Sequence, residues 1–452
     1  MPVPESPPAK STAQRINRIL PAVTVITAAV VLGIRFFTFI SDYAVNVLFY
    51  DQWDFLSLFF KGTPGLGELF LYQHGPHREG LGLVVDRFLY PATDWNTRAE
   101  SFLIGGRVFA AALVALLLKY RLFGRLSYGD VAIPLIFLTT AQYETFIGTP
   151  NAAYSGIPLL LILCYCLALT SPRYQVRYAL CLVLNFFLIF TGFGVFMGPV
   201  TVGLFALECY RRVRGLSQIP LGATLIALLL AVASMGAFFL NYRFQPAVAC
   251  FVFPDPHLLA YPRFLAAMSA RYFGVATSLR LSAIVGIPLV LCAAGVFSAL
   301  VWRLIRKRNP GKSDLIATIL LAYSILFAVD TAIGRVCLGP AAALAPRYAT
   351  LLIPGVTAIY FYLQTIPLAG IRRAITTTFI LLLIPGCLSV DSGADWYADG
   401  KRAWVDCYLR TENVSECDKS AGFVIHPYPD QTGLKEKLDY LKARQLNLFS
   451  PQ

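Results

Sequence analysis

Residues 182–207 read LVLNFFLIFTGFGVFMGPVTVGLFAL, an unbroken apolar run with Thr191-Gly192-Phe193-Gly194 at its middle. The run is either one long membrane helix or two shorter ones folded back at the glycines. The choice sets the side on which every later segment falls. The flanking charges decide it: Arg177 precedes the run, and Arg211, Arg212 and Arg214 follow it. Lys and Arg collect in the cytoplasmic gaps of membrane proteins, so both flanks belong on one side, which only a hairpin allows. Glycine tolerates the backbone angles of a tight reversal. The run is therefore read as two spans, about 178–191 and 194–209.

The same reading gives eleven spans, the others at about 20–40, 101–118, 130–148, 154–170, 219–240, 281–302, 314–331, 349–367 and 374–390. Basic residues fall in alternate gaps: Lys10, Arg15 and Arg18; Lys119, Arg121 and Arg125; Arg173 and Arg177; Arg211 to Arg214; RLIRKRNPGK at 303–312; Arg372 and Arg373. All share one side if the N-terminus is cytoplasmic. The expected fold is an all-α polytopic membrane protein, with a cytoplasmic segment 1–19, a transmembrane domain 20–390 and an extracytoplasmic tail 391–452. The expected location is the cell inner (plasma) membrane, with the first apolar segment a retained anchor, since it is longer than a signal-peptide core.

Composition agrees. The chain has 452 residues, 57% hydrophobic and only 14% charged, against about 25% charged in ordinary soluble domains. The formal charge of +13 sits in the gaps between spans, so it answers to lipid and not to nucleic acid. Ten cysteines lack CxxC spacing, which argues against a zinc or redox site. Cys407 and Cys417 lie together in the hydrophilic tail and are either a disulfide or two thiols. Asn413 begins an NVS triplet, a sequon pattern frequent by chance. Walker, GxSxG and HExxH patterns are lacking in a believable context.

Polar chemistry gathers opposite the basic gaps. A first loop (41–100), a second (241–280) and the tail hold all four histidines, His74, His77, His257 and His426. In FYDQWDF (49–55), Asp51 and Asp54 share a face if helical, and aromatic neighbours would desolvate a carboxylate and raise its pKa toward that of a general base. The alternative is a pair of solvated acids at a helix start. In HGPHRE (74–79), two imidazoles flank a Gly-Pro turn beside Arg78, a guanidinium suited to phosphate. Two histidines with Asp51 or Asp54 are also conceivable metal ligands, though the spacing fits no specific zinc pattern.

Glu144 and Asp330 are acids within spans, a costly placement that marks either a site or an ion pair, for Asp330 with Arg335 or Arg107. Arg347 and Tyr348 open the tenth span, where an Arg either binds a lipid phosphate or anchors the helix. The stretches WDFLSLFFKG and LGELFLYQH read as helices lying in the membrane interface, as does YPRFLAAMSARYFG of the second loop. GLKEKLDYLKARQLNLF reads as one amphipathic helix of the tail.

YDQWDF (50–55) and RYAT (347–350) within this layout resemble the GT-C superfamily of membrane glycosyltransferases. The resemblance implies an enzyme, a hexosyl- or pentosyltransferase, that takes a sugar from a polyprenyl-phosphate donor to an acceptor hydroxyl on a glycan, lipid or protein at the outer membrane face. It makes Asp51 the preferred general base, with Asp54 close behind. It assigns Arg78 and Arg347 to the donor phosphate and His74 and His77 to orienting donor or acceptor. Glu144, Asp330 and Tyr348 join them as candidate substrate contacts. The acids stand as Asp-Gln-Trp-Asp where the family has them adjacent, which leaves open the identity of the base and the use of a divalent metal, Mg or Mn. Two other classes remain: a lipid-linked sugar flippase, which would place polar groups near the midplane, and a glycan polymerase or ligase working through Arg263, Arg271 and His257.

Overall fold

The computed structural model describes residues 12–275, 278–307, 310–390, 392–430 and 432–451. Lys10, Arg308 and Asp391, part of the expected gaps and tail, lie outside the described residues. Seven helices among the described residues are long and apolar enough to cross a membrane, and shorter apolar helices accompany them. The strands among the described residues form one two-residue hairpin. The chain is thus an all-helical, multi-pass membrane fold.

Helix α1 (Thr12–Tyr43) leads into the first loop, which folds as α2 (Gln52–Phe55), α3 (Ser57–Lys61), α4 (Leu66–Leu71), the hairpin β1 (Gln73–His74) and β2 (His77–Arg78), and α5 (Gly80–Ala92). Helix α6 (Thr97–Phe123) then starts at Asn96, whose side chain accepts from the backbone N–H groups of Arg98 and Ala99, and ends at Gly124 with φ 74°. Both are the expected solutions for a helix's unpaired ends.

The third expected span, 130–148, is not one helix. It consists of a 3-10 turn, α7 (Ala132–Phe137), a second turn and α8 (Glu144–Ile147). It nevertheless runs the length of α6. Lys119 meets Asp130 at 2.8 Å, and at the other end Ser101 Oγ donates to the Phe146 carbonyl at 2.6 Å. Residues 101 to 119 of α6 rise about 27 Å, a membrane's hydrocarbon thickness. Residues 132–148 are all buried, the condition under which broken backbone is tolerated at that depth. Side chains supply missing donors: Gln142 Nε2 to the Phe137 carbonyl at 2.6 Å and Tyr272 Oη to the Ile136 carbonyl at 2.7 Å.

Helices α9 (Gly156–Ala168), α10 (Tyr174–Ile189), α11 (Met197–Val213) and α12 (Leu221–Phe238) follow. The hairpin between α10 and α11 is present as expected. Gly192 has φ 33°, and a Cβ there would lie 2.1 Å from the Tyr154 ring, so the reversal needs glycine for space as well as angle. Helix α13 (Ala260–Tyr272), expected in the membrane interface, packs into the bundle, burying Phe264, Ala267, Met268 and Tyr272. Close contact with Gly286 of α14 (Leu279–Arg306) draws it in, since a Cβ on that glycine would strike the Ala266 carbonyl. Helices α15 (Lys312–Arg335), α16 (Ala349–Leu363) and α17 (Ala369–Leu388) complete the bundle.

Contacts gather five of the basic gaps at one end, with Arg121 reaching Thr170 and Arg303 reaching Thr365, both at 3.4 Å. Arg211 donates to the Leu304 carbonyl at 2.6 Å, Lys312 to the Thr170 carbonyl at 2.7 Å, and Arg303 pairs with Asp314 at 3.3 Å.

The tail forms α18 (Ser392–Thr411), α19 (Val414–Ala421) and α20 (Leu434–Ala443). The expected single helix over 433–449 stops early because Gln445 and Asn447 adopt φ near 54°. Tail and first loop share one core: Trp53, Phe55, Leu56 and Phe59 bury with Trp404, Tyr408, Leu438 and Leu441. The apolar faces of α2 and α3 therefore meet protein where lipid was expected. Helix α4 instead leans on a span, with Phe70 4.6 Å from Phe190. Cys407 and Cys417 are bridged, and a second bridge, unanticipated, joins Cys250 of the second loop to Cys337 beyond α15. The six free cysteines all lie in helices of the bundle.

Candidate active site

At the end opposite the basic gaps, the first loop, the broken crossing, the 149–155 segment and the start of α16 enclose a cavity of ≈ 260 Å³. A larger groove of ≈ 560 Å³ between α1 and α6 is lined by Ile34, Phe37, Phe102, Phe109 and other groups that do not titrate. The chemistry lies in the smaller one.

The DQWD tetrapeptide is divided four ways. Tyr50 turns the chain with φ 51°. Asp51 is exposed and lines the cavity. Gln52 is fully buried, donating to the Pro150 carbonyl at 3.0 Å and accepting from the Phe49 N–H at 3.0 Å. Trp53 enters the core. Asp54 turns to the tail, where its Oδ2 lies 3.2 Å from His426 Nε2, and it does not line the cavity. Burial would raise the Asp54 carboxyl, but the hydrogen bond with His426, reinforced by the nearby Lys437 charge, holds it below its ordinary value. The expected raised pKa is therefore wrong for Asp54.

His74 and His77 both line the cavity, carried by the hairpin around Gly75, φ 56°. The His77 ring lies 4.4 Å from Phe193 and 5.4 Å from Tyr154. Desolvation, then the nearby Arg335 charge, push its pKa down to about 3. It is a neutral imidazole, not a cation for phosphate. Arg78 also departs from expectation: it does not line the cavity. Its guanidinium donates to the carbonyls of Phe238, Leu71 and Leu240, joining the first loop to the end of α12.

Across the cavity, Arg347 Nη1 meets Glu144 Oε1 at 2.6 Å, and Tyr397 of the tail donates to the same oxygen at 3.2 Å. Glu144 is thus compensated. Tyr348 stands between two cations, the guanidinium carbons of Arg335 and Arg347 lying 5.7 and 5.6 Å from its ring centre. Arg335 lines the cavity as well and was considered in the sequence only as a partner for Asp330. Asp330 is exposed and does not line it. His257 and Arg263 are exposed away from the cavity, and Arg271 is buried beside Tyr143.

Behind the wall lie three carboxylates, Glu79, Asp86 and Glu100, that the sequence did not single out. Glu79 accepts from Asn151 Nδ2 at 3.0 Å, and Glu100 from Tyr90 Oη at 2.6 Å. Burial pushes Glu79 and Asp86 up. The available signal was their place: Asp86 sits in an apolar helix, and Glu100 at the first turn of a span. Glu79, through Asn151, and Glu100, through the Ala152 backbone, hold the 149–155 segment that forms one side of the cavity.

Among the described residues no group of three His, Cys, Asp or Glu side chains gathers as metal ligands.

No family model and no curated protein matches the chain. Among solved structures, the chain is similar to the crystal structure of ArnT from Cupriavidus metallidurans bound to undecaprenyl phosphate, with a TM-score of 0.40 and 16% identity, over 93% of this chain and 76% of that one. The likeness is one of outline, and the functional reading rests on the cavity itself.

Proposed function

We propose that this chain is a membrane glycosyltransferase that moves one sugar from a polyprenyl-phosphate donor to an acceptor hydroxyl at the extracytoplasmic face of the cell inner membrane. The observation that carries it is the cavity's charge arrangement: one uncompensated carboxylate, Asp51, with two guanidiniums, Arg335 and Arg347, in one small chamber. The YDQWDF and RYAT stretches that resemble the GT-C superfamily supply Asp51, Arg347 and Tyr348.

In the step, Asp51 accepts the acceptor's hydroxyl proton as that oxygen attacks the anomeric carbon. The bond from that carbon to the phosphate oxygen breaks, and polyprenyl phosphate leaves with the electron pair. Arg335 and Arg347 meet the charge that develops on the phosphate. Among the described residues lining the cavity, the second carboxylate is Glu144, which Arg347 holds. With Asp51 acting as base and no second free carboxylate among the described lining residues to serve as nucleophile, a single displacement with inversion follows.

A lipid donor cannot leave the bilayer, so its site belongs at the membrane surface. The chamber lies at or below the small end of ligand cavities, about 300–1,000 Å³, which suits one hexosyl or pentosyl unit. The outer orientation is supported by the two disulfides at the cavity's end of the molecule, which persist in oxidising compartments, and by the basic residues at the other end.

The test is reconstitution of the purified chain in liposomes with a panel of polyprenyl-phosphate sugars and, separately, nucleotide sugars. Release of polyprenyl phosphate with acceptor glycosylation supports the reading. Transfer from nucleotide sugars alone contradicts it.

A further inference from the structure

We propose that the C-terminal tail belongs to the catalytic machinery, with His426 the positioning residue that fixes the turn presenting Asp51. This rests on Asp51 being the base. Asp51 sits on an exposed two-residue turn that begins with Tyr50 at φ 51°, a left-handed value uncommon for a side chain of this bulk. Such a conformation persists only where its surroundings hold it.

The tail grips that turn from both sides. Before Asp51, the Tyr50 N–H donates to the Ile425 carbonyl at 3.0 Å, and the Phe49 ring stacks on Phe423 at 5.0 Å. After it, His426 Nε2 meets Asp54 Oδ2 at 3.2 Å, and Lys437 donates to the Trp53 carbonyl at 2.5 Å. The role of His426 is set by its other nitrogen. Nδ1 accepts from the Tyr428 N–H at 3.0 Å, so the proton of the neutral ring sits on Nε2 and is donated to Asp54. His426 is 3% exposed, with one partner on each nitrogen.

The grip is itself braced. Asp418 Oδ1 accepts from Trp404 Nε1 at 2.7 Å and from the Ile425 N–H at 3.2 Å, and the Cys407–Cys417 bridge ties α18 to α19. A segment 372 residues distant in sequence thereby sets where the proposed base stands. Asp54 becomes the handle by which the tail holds that turn.

The test compares His426→Ala and His426→Gln in the full chain, reconstituted with polyprenyl-phosphate sugar, with Asp51→Asn as the reference. His426→Ala is expected to lower kcat about tenfold to a hundredfold, as small misplacements of a catalytic group do, with KM for the donor changed less than about threefold. His426→Gln keeps an N–H for Asp54 and is expected to recover most of the loss. A second measurement does not depend on turnover. In an Asp51→Cys background, adding His426→Ala is expected to raise several-fold the rate at which the introduced thiol reacts with a membrane-impermeant thiol reagent, and His426→Gln is not. An unchanged labelling rate overturns the inference even if His426→Ala fails to turn over. So does a wild-type kcat in His426→Ala when Asp51→Asn is inactive. If Asp51→Asn keeps full activity, the reading of Asp51 as base falls first, and the labelling result still reports on the clasp.

Discussion

Replacing Glu144 with Gln separates the two roles open to a carboxylate in this cavity. Glu144 is 5% exposed, and its partner Arg347 is 46% exposed at 2.6 Å. Unit charges at that distance attract by about 6 kcal/mol at an effective dielectric of 20 and about 1.6 kcal/mol in water. Arg347 is half in solvent, so the net loss of stability on breaking the pair belongs toward the lower figure, about 1–3 kcal/mol. The same change frees the Arg347 guanidinium and removes a negative charge near the donor's phosphate. Tightening by about 1 kcal/mol, roughly fivefold, is expected for polyprenyl phosphate as an inhibitor. Thermal unfolding in detergent reads the first effect and the inhibition constant reads the second, with kcat staying within about threefold. A fall in kcat of more than about a hundredfold at unchanged inhibitor affinity would refute the reasoning, because Glu144 would then be the base and Asp51 a bystander.

Further expectations concern the residues around the cavity. Serine at both Cys407 and Cys417 removes a bridge spanning 10 residues, worth about 2.7 kcal/mol on the chain-entropy account, and hydrogen exchange in α18 and α19 should speed accordingly. His77 is held neutral down to about pH 3 while its unfolded form takes a proton near pH 6.5. The unfolded state therefore binds more protons between those values, so stability falls as pH drops through that window. His77→Gln should flatten that part of a stability-against-pH curve. Arg78→Ala strips donors from the carbonyls of Phe238, Leu71 and Leu240 and should destabilise by about 2–4 kcal/mol, read by thermal unfolding, while leaving KM for the donor unchanged.

The crossings were legible because hydropathy and charge act over whole segments. The break at Thr191-Gly192-Phe193-Gly194 followed from arginines on both flanks, and the structure gives the glycine a second reason in Tyr154. The broken crossing at 132–148 was hidden because it is as apolar as a helix. What breaks it is hydrogen bonding to Tyr272, Gln142 and Gly386, which only the folded chain reveals. Asp51 stood out because an acid among aromatics in an outer loop is conspicuous, and the structure places it in the cavity lining. The different fate of Asp54 was not legible, since its partner His426 lies 372 residues away. Arg78 and Arg335 show the same limit: sequence identifies a guanidinium but not whether carbonyls already occupy it. The tail's union with the first loop depends on apolar side chains from both, and taken alone the first-loop stretches read as interfacial helices and the tail as an amphipathic helix with no evident partner.

The most direct measurement is the single-turnover rate of sugar transfer by Asp51→Asn in liposomes loaded with polyprenyl-phosphate sugar, on protein whose unfolding temperature matches wild type. Asn keeps the size of the side chain and removes the proton acceptor. The account predicts a loss of about 10²–10⁴-fold with donor affinity retained. A rate within about tenfold of wild type would contradict it, and the base would have to be sought elsewhere in the cavity.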